Sequence, residues 1–136
     1  MLKTKERILN SAEKLFAENG FAATSVREII ARAGVNLAAI HYHFGTKEDV
    51  LDEVILRRIR PVNESRAARL DALEAEARGS PVRLESVLEA FLAPAADMAV
   101  KHPQWVRIMG RLHVEGMMPA FVQRHPMPVF DRFLAA

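Results

Sequence analysis

The chain has 136 residues, 50% of them hydrophobic and 26% charged, enough for one compact domain or a small domain with a helical extension. At that length folding buries roughly two-thirds of the unfolded chain's surface, and the absence of cysteine excludes disulfides, Cys-ligated zinc and thiol catalysis. The formal net charge is +2, all of the excess in residues 1–60 with ten Lys+Arg against eight Asp+Glu, too little to announce a polyanion partner by itself. No run approaches the roughly 18 apolar residues of a membrane span. The charged start Met1-Leu2-Lys3-Thr4-Lys5-Glu6-Arg7 is no secretory leader, so a soluble, cytoplasmic protein with no membrane partner is expected.

The pattern is helical almost throughout. Ile8, Leu9, Ala12, Leu15 and Phe16 form one apolar stripe, predicting a helix from about Thr4 to Asn19 that ends at Gly20. Ser25-Val26-Arg27-Glu28 reads as a capping box opening a short helix that stops at Gly34. Asn36 caps a third helix, Leu37 to Phe44, and Thr46 a fourth striped by Val50, Leu51, Val54, Ile55 and Ile59. Pro61 is expected to end or kink that helix, with a polar helix following to about Ala77. Ser80 reads as the next N-cap with Pro81 at the first helical position. A helix carrying Leu84, Val87, Leu88, Phe91 and Leu92 follows, kinked at Pro94, then one from His102-Pro103 with Trp105, Ile108, Met109 and Leu112. Val129 to Leu134 looks like a helix barely begun at the last residue.

Two short helices, 25–33 and 37–44, joined through Gly34, make a helix-turn-helix pattern. In that motif the first helix crosses the sugar-phosphate backbone and the second lays its first residues along base edges in the major groove. Thr24 and Ser25 stand where hydroxyls and a helix N-terminus hold phosphate, and Arg27 suits a phosphate or an outer base. Leu37, Ala38 and Ala39 face outward if Ile40 and Phe44 face in. They make no bidentate hydrogen bond to a base but fit thymine methyls. Asn36, His41 and His43 are the polar candidates for bases. Each also has a structural reading: Ser25 and Asn36 as caps, His43 as a partly buried packing residue, Lys3 and Lys5 as a frayed terminus.

The segment Gly20 to Asn36, followed by His41-Tyr42-His43-Phe44-Gly45-Thr46-Lys47-Glu48, closely resembles the TetR family of bacterial transcriptional regulators, over about Lys5 to Ile55. The resemblance implies an all-α protein: a three-helix, helix-turn-helix DNA-binding head (residues 1–60), then a helical ligand-binding and dimerising body (61–136) that would be truncated at Ala136. It also implies that His41 and Tyr42 occupy the family's aromatic positions at the DNA backbone and that Lys47 is its phosphate-binding lysine. Asn36 stands where serine or threonine is frequent, and Ala38 where glycine is; both departures bear on base preference.

In the second half, Phe91, Met98, Trp105, Met109, Met117 and Phe121, with His113 as a polar handle, are candidates to line a pocket for a small-molecule effector. Such stripes are more often core. The histidines there lack close metal spacing, and neither a nucleophile–base pair nor a glycine-rich phosphate loop is present, so no enzyme, metal or cofactor is expected. The leading reading is a homodimeric repressor of a palindromic double-stranded DNA operator, released by a small-molecule effector. The alternatives are a constitutive DNA-binding regulator and a helical protein-interaction module without a DNA role.

Overall fold

A computed structural model describes residues 2–136. Among them the chain forms eight helices and no strand: α1 (Thr4–Asn19), α2 (Val26–Ala33), α3 (Leu37–His43), α4 (Lys47–Ala77), α5 (Leu84–Lys101), α6 (Pro103–Val114), α7 (Met118–Arg124) and α8 (Pro128–Ala135). The all-α expectation and the head-then-body order hold. The starts of α2, α3 and α4 are fixed by local capping. Ser25 and Thr46 each complete a capping box, with Glu28 and Asp49 respectively, and the Asn36 carboxamide oxygen accepts from the Ala39 amide.

One core joins the head to the body. Ile8, Ala12 and Phe16 of α1 meet Ile29 of α2, Ile40 of α3 and Val50, Val54 and Ile55 of α4, and the same cluster includes Ile108 and Leu112 of α6. Burial of these side chains from both halves ties α1 to α6 as closely as to α2. The second half of α4 carries Val62 and Leu70 inward where α5 presents Val87 and Ala90, and α8 presents Val129.

Pro61 does not end its helix, and the expected cap at Ser80 is absent. α4 runs unbroken through Pro61 for 31 residues, about 46 Å at 1.5 Å per residue. Pro61 is exposed, so the carbonyl it deprives of a donor is open to water. α5 likewise continues through Pro94, which leaves the Ala90 carbonyl without its helical donor. Ser80 is not an N-cap. Its amide donates to Ala77 O in the turn closing α4, the chain turns through Arg78 and Gly79 at positive φ, and α5 begins at Leu84 without a side-chain cap.

The proposed effector-lining residues do not gather around one cavity. Trp105 and Phe121 are buried in the shared core, Met98, Met109 and Met117 pack against it, and His113 is exposed. α6 and α7 turn their apolar stripes toward α1 and α4, so the stripe is core packing. Phe91 alone of the seven lines an apolar groove, between α5 and α8.

Candidate nucleic-acid interface

The α2–turn–α3 unit is held from behind by cations reaching across the fold. Gly34 takes φ 68 at the α2 C-cap, a conformation glycine adopts without strain. Arg7 of α1 fills the space behind it: Nε and Nη2 donate to Ala33 O at 3.1 and 2.6 Å, and Nη2 also to Gly34 O at 2.9 Å. These bonds satisfy carbonyls at the end of α2 and suit a cation at a helix C-terminus. Nothing in the local sequence pointed to Arg7, since its partners lie 26 and 27 residues away.

Lys47 does the same for the α1–α2 connection. Its Nζ donates to Phe21 O and Thr24 O, both at 2.9 Å, and lies 4.1 Å from the Phe21 ring centroid. The expected phosphate ligand therefore commits two of its three N–H donors inside the protein and is partly buried. Thr24 corrects the reading further. Its side chain is 1% exposed, and its hydroxyl stands 2.7 Å from Gly20 O and 3.2 Å from Leu15 O. Ser25 is exposed instead, its hydroxyl shared with the Glu28 amide and carboxylate.

On α3 the outward face consists of Leu37 (49% exposed), Ala38, His41 and Tyr42 (85% exposed). These positions pair at i, i+4 and so form one surface. Ile40, 1% exposed, anchors the opposite face with partly buried Ala39, which packs against the core instead of facing outward as expected. His43 is also partly buried, its ring 4.9 Å from Tyr42 edge-on and 6.3 Å from Phe44, as in its packing reading. Gly45 O stands 3.2 Å from His41 Nδ1. A carbonyl only accepts, so Nδ1 donates in this contact. Asn36 uses its oxygen for the cap, which leaves its NH2 group for an outside acceptor.

The exposed cations of residues 2–60 that form no ion pair among the described residues are Lys3, Lys5, Lys14 and Arg27. Lys5 Nζ lies 5.7 Å from the Phe44 ring, beside the end of α3. No group of three or more His, Asp or Glu side chains suited to a metal ion occurs among the described residues. The arrangement presents a short helix with a small apolar and aromatic outer face.

Residues 8–54 match the sequence family described as bacterial regulatory proteins, tetR family. The chain is 30% identical over 108 residues to the HTH-type transcriptional repressor NicS of Pseudomonas putida, covering 79% of this chain and 47% of that protein. It is 35% identical over 100 residues to the HTH-type transcriptional regulator AcrR of Shigella flexneri, covering 72% and 42%. A crystal structure of a transcriptional regulator (TerR/AcrR family) from Aquifex aeolicus superposes with a TM-score of 0.64 at 26% identity, covering 97% of this chain and 71% of that one. The chain thus spans less than half the length of these two curated relatives where it matches them.

Proposed function

Since the chain belongs to the TetR family of bacterial regulatory proteins, we propose that it is a transcriptional regulator whose α3 enters the major groove of duplex DNA. The observation that carries this reading is the outward face of Leu37, Ala38, His41 and Tyr42, held rigid by Ile40 behind it and by Arg7 and Lys47 at its flanks. Leu37 and Ala38 meet thymine methyls, His41 meets a base edge through Nε2, and Tyr42 lies along the backbone. Ser25, Arg27 and the Asn36 carboxamide bind phosphates, with Lys3 and Lys5 adding charge. The remaining N–H of Lys47 is directed to a phosphate, and His43 and Ala39 support the face from within.

On this reading residues 1–60 are the DNA-binding head and 61–136 the regulatory body. The protein works in the cytoplasm without catalysis, as a homodimer on a palindromic operator with one α3 in each of two successive major grooves. A small molecule bound by the body lowers operator affinity. What supports this coupling is α6, whose Arg111 donates to Ala17 O and Glu18 O at 3.0 and 2.9 Å at the end of α1. A ligand that displaces α6 therefore moves α1. The test is selection from fragmented genomic DNA, with affinity for the enriched duplex followed against salt. The reading requires an enriched inverted repeat and an affinity that falls steeply with salt. Weak binding of all sequences alike contradicts it.

A further inference from the structure

Two helices of the head end on a glycine at positive φ with an arginine of another helix closed over the end. α1 ends at Gly20, φ 83, and α2 at Gly34, φ 68. At the first, Arg111 of α6 donates through Nε to Ala17 O at 3.0 Å and through Nη2 to Glu18 O at 2.9 Å. At the second, Arg7 of α1 donates to Ala33 O and Gly34 O. Neither pair of carbonyls receives a backbone amide among the described residues, so each arginine supplies donors that its helix end lacks. Both also occupy the space beside the glycine. A Cβ on Gly34 would stand 3.0 Å from Arg7 Nη2, and one on Gly20 would stand 3.5 Å from Arg111 Nη1 and 2.6 Å from Glu115 Oε1.

The two clasps share α1, which receives one in its last turn and carries the other in its first. Residues 7 and 17 lie about 15 Å apart along the axis at 1.5 Å per residue. α4 also joins body to head, but its side-chain bonds to the motif go to the α1–α2 connection, through Lys47. Among the described residues, Arg7 is the only side chain from another element that bonds to Ala33, Gly34 or Val35. Apolar contacts between α1 and α2 are non-directional and tolerate sliding, whereas a planar guanidinium holds its acceptors in a fixed geometry. We propose that Arg7 is a positioning residue for DNA recognition, and that α1, clasped by Arg111 at one end and bearing Arg7 at the other, relays the position of α6 to the α2–α3 turn. Arg7 touches no base on this account; it fixes the turn from which Asn36 and Leu37 open α3. The proposal rests on the ligand-controlled reading above and names the route by which the body acts on α3.

A double-substitution cycle of Arg7→Met and Arg111→Met tests the relay without any effector. Amide shifts are recorded on the DNA-free protein. Affinity for the duplex enriched from genomic DNA is measured where urea melts show every variant folded. Arg111→Met is expected to shift the amides of Gly34, Val35 and Asn36, although its own partners are Ala17 and Glu18, and to weaken duplex binding about fivefold or more. In the Arg7→Met background the same substitution should leave those three amides unmoved and change affinity less than about twofold. Arg7→Lys and Arg111→Lys keep the charge and lose the fork, and they serve in the same cycle if a methionine variant fails to fold. Losses that multiply in the double variant overturn the relay. So do amides at 34–36 that Arg111→Met leaves unmoved in the parent, or a shift there that persists without Arg7. A coupled cycle in a protein whose duplex affinity responds to no small molecule would keep the relay and remove ligand control.

Discussion

Tyr42 keeps 85% of its surface in water, while Lys47, five residues on, commits its ammonium to two carbonyls of the α1–α2 connection. Their substitutions are expected to separate. Tyr42→Ala should leave urea stability within about 0.5 kcal/mol of the parent, as for an exposed surface position, yet weaken duplex binding at least tenfold by about 1.4 kcal/mol. Lys47→Met should cost about 1–3 kcal/mol of stability by orphaning the Thr24 carbonyl and removing one of the two donors to Phe21 O, and should also lower duplex affinity. A Lys47→Met protein of parental stability would contradict the staple. Thr24→Val probes the adjoining position, since its hydroxyl lies between Gly20 O and Leu15 O in the interior. The expected loss is about 1–3 kcal/mol in a chemical melt, with duplex affinity of the folded fraction unchanged; a selective loss of DNA binding would restore a phosphate role to Thr24. The caps at Ser25, Asn36 and Thr46 were legible in the sequence because donor and acceptor lie three residues apart. The duties of Arg7, Lys47 and Thr24 were not, because their partners are set by how α1, α2 and α4 pack.

Between elements, the junction of α1, α4 and α6 is held by ion pairs around Glu13, 2% exposed. Arg58 grips its two oxygens at 2.8 and 2.9 Å, Gln104 donates at 3.0 Å, and Arg57 Nη2 stands 3.2 Å away. Burial alone would raise this carboxyl, but the hydrogen bonds from Arg58 and Gln104 and the charges of both arginines hold it below its ordinary 4.5. Asp52, hydrogen-bonded by Arg124 and His125 of the α7 end, is likewise lowered from 3.8 against the effect of burial. His102 completes the junction, its Nε2 accepting from Arg58 Nη1 at 3.2 Å. Burial, and then the Arg58 charge, hold its pKa below 6.5. In each case the unfolded chain binds the proton more readily, so stability falls as pH falls. Two stages are expected in a pH series of melts: a first loss below about 6.5 from His102, and a second below about 4.5 from Glu13 and Asp52. His102→Asn should remove the first stage and Glu13→Gln should reduce the second; a flat profile from pH 7 to 5 in the parent would contradict the neutral, accepting His102. Helix existence and order were readable from apolar periodicity, whereas the end of α4 and the start of α5 depended on surroundings. An exposed proline left a long helix intact, and after the turn through Arg78 and Gly79 the next helix opened only at Leu84.

At the scale of the whole chain, net charge says little. The fold draws Arg7, Arg57, Arg58, Arg111 and Arg124 into internal contacts, so that much of the formal charge of the 136 residues is spent within the protein. The helix-turn-helix was legible because its caps and glycine turn are local signals. The body was not, because its Met and aromatic stripes serve a core shared with the head, and its buried cation, Arg66, is exceptional only once its neighbours are known. The shared core also makes head and body one mechanical unit, which is what ligand control of DNA binding requires. Whether α2 and α3 present the DNA-binding face is tested most directly by recording amide shifts while the duplex enriched from genomic DNA is titrated in. The expected perturbations concentrate at residues 25–28 and 36–43 and diminish in Tyr42→Ala, with the α5–α8 groove unaffected. Perturbations centred on α5 and α8, with 36–43 unmoved, would contradict the assignment.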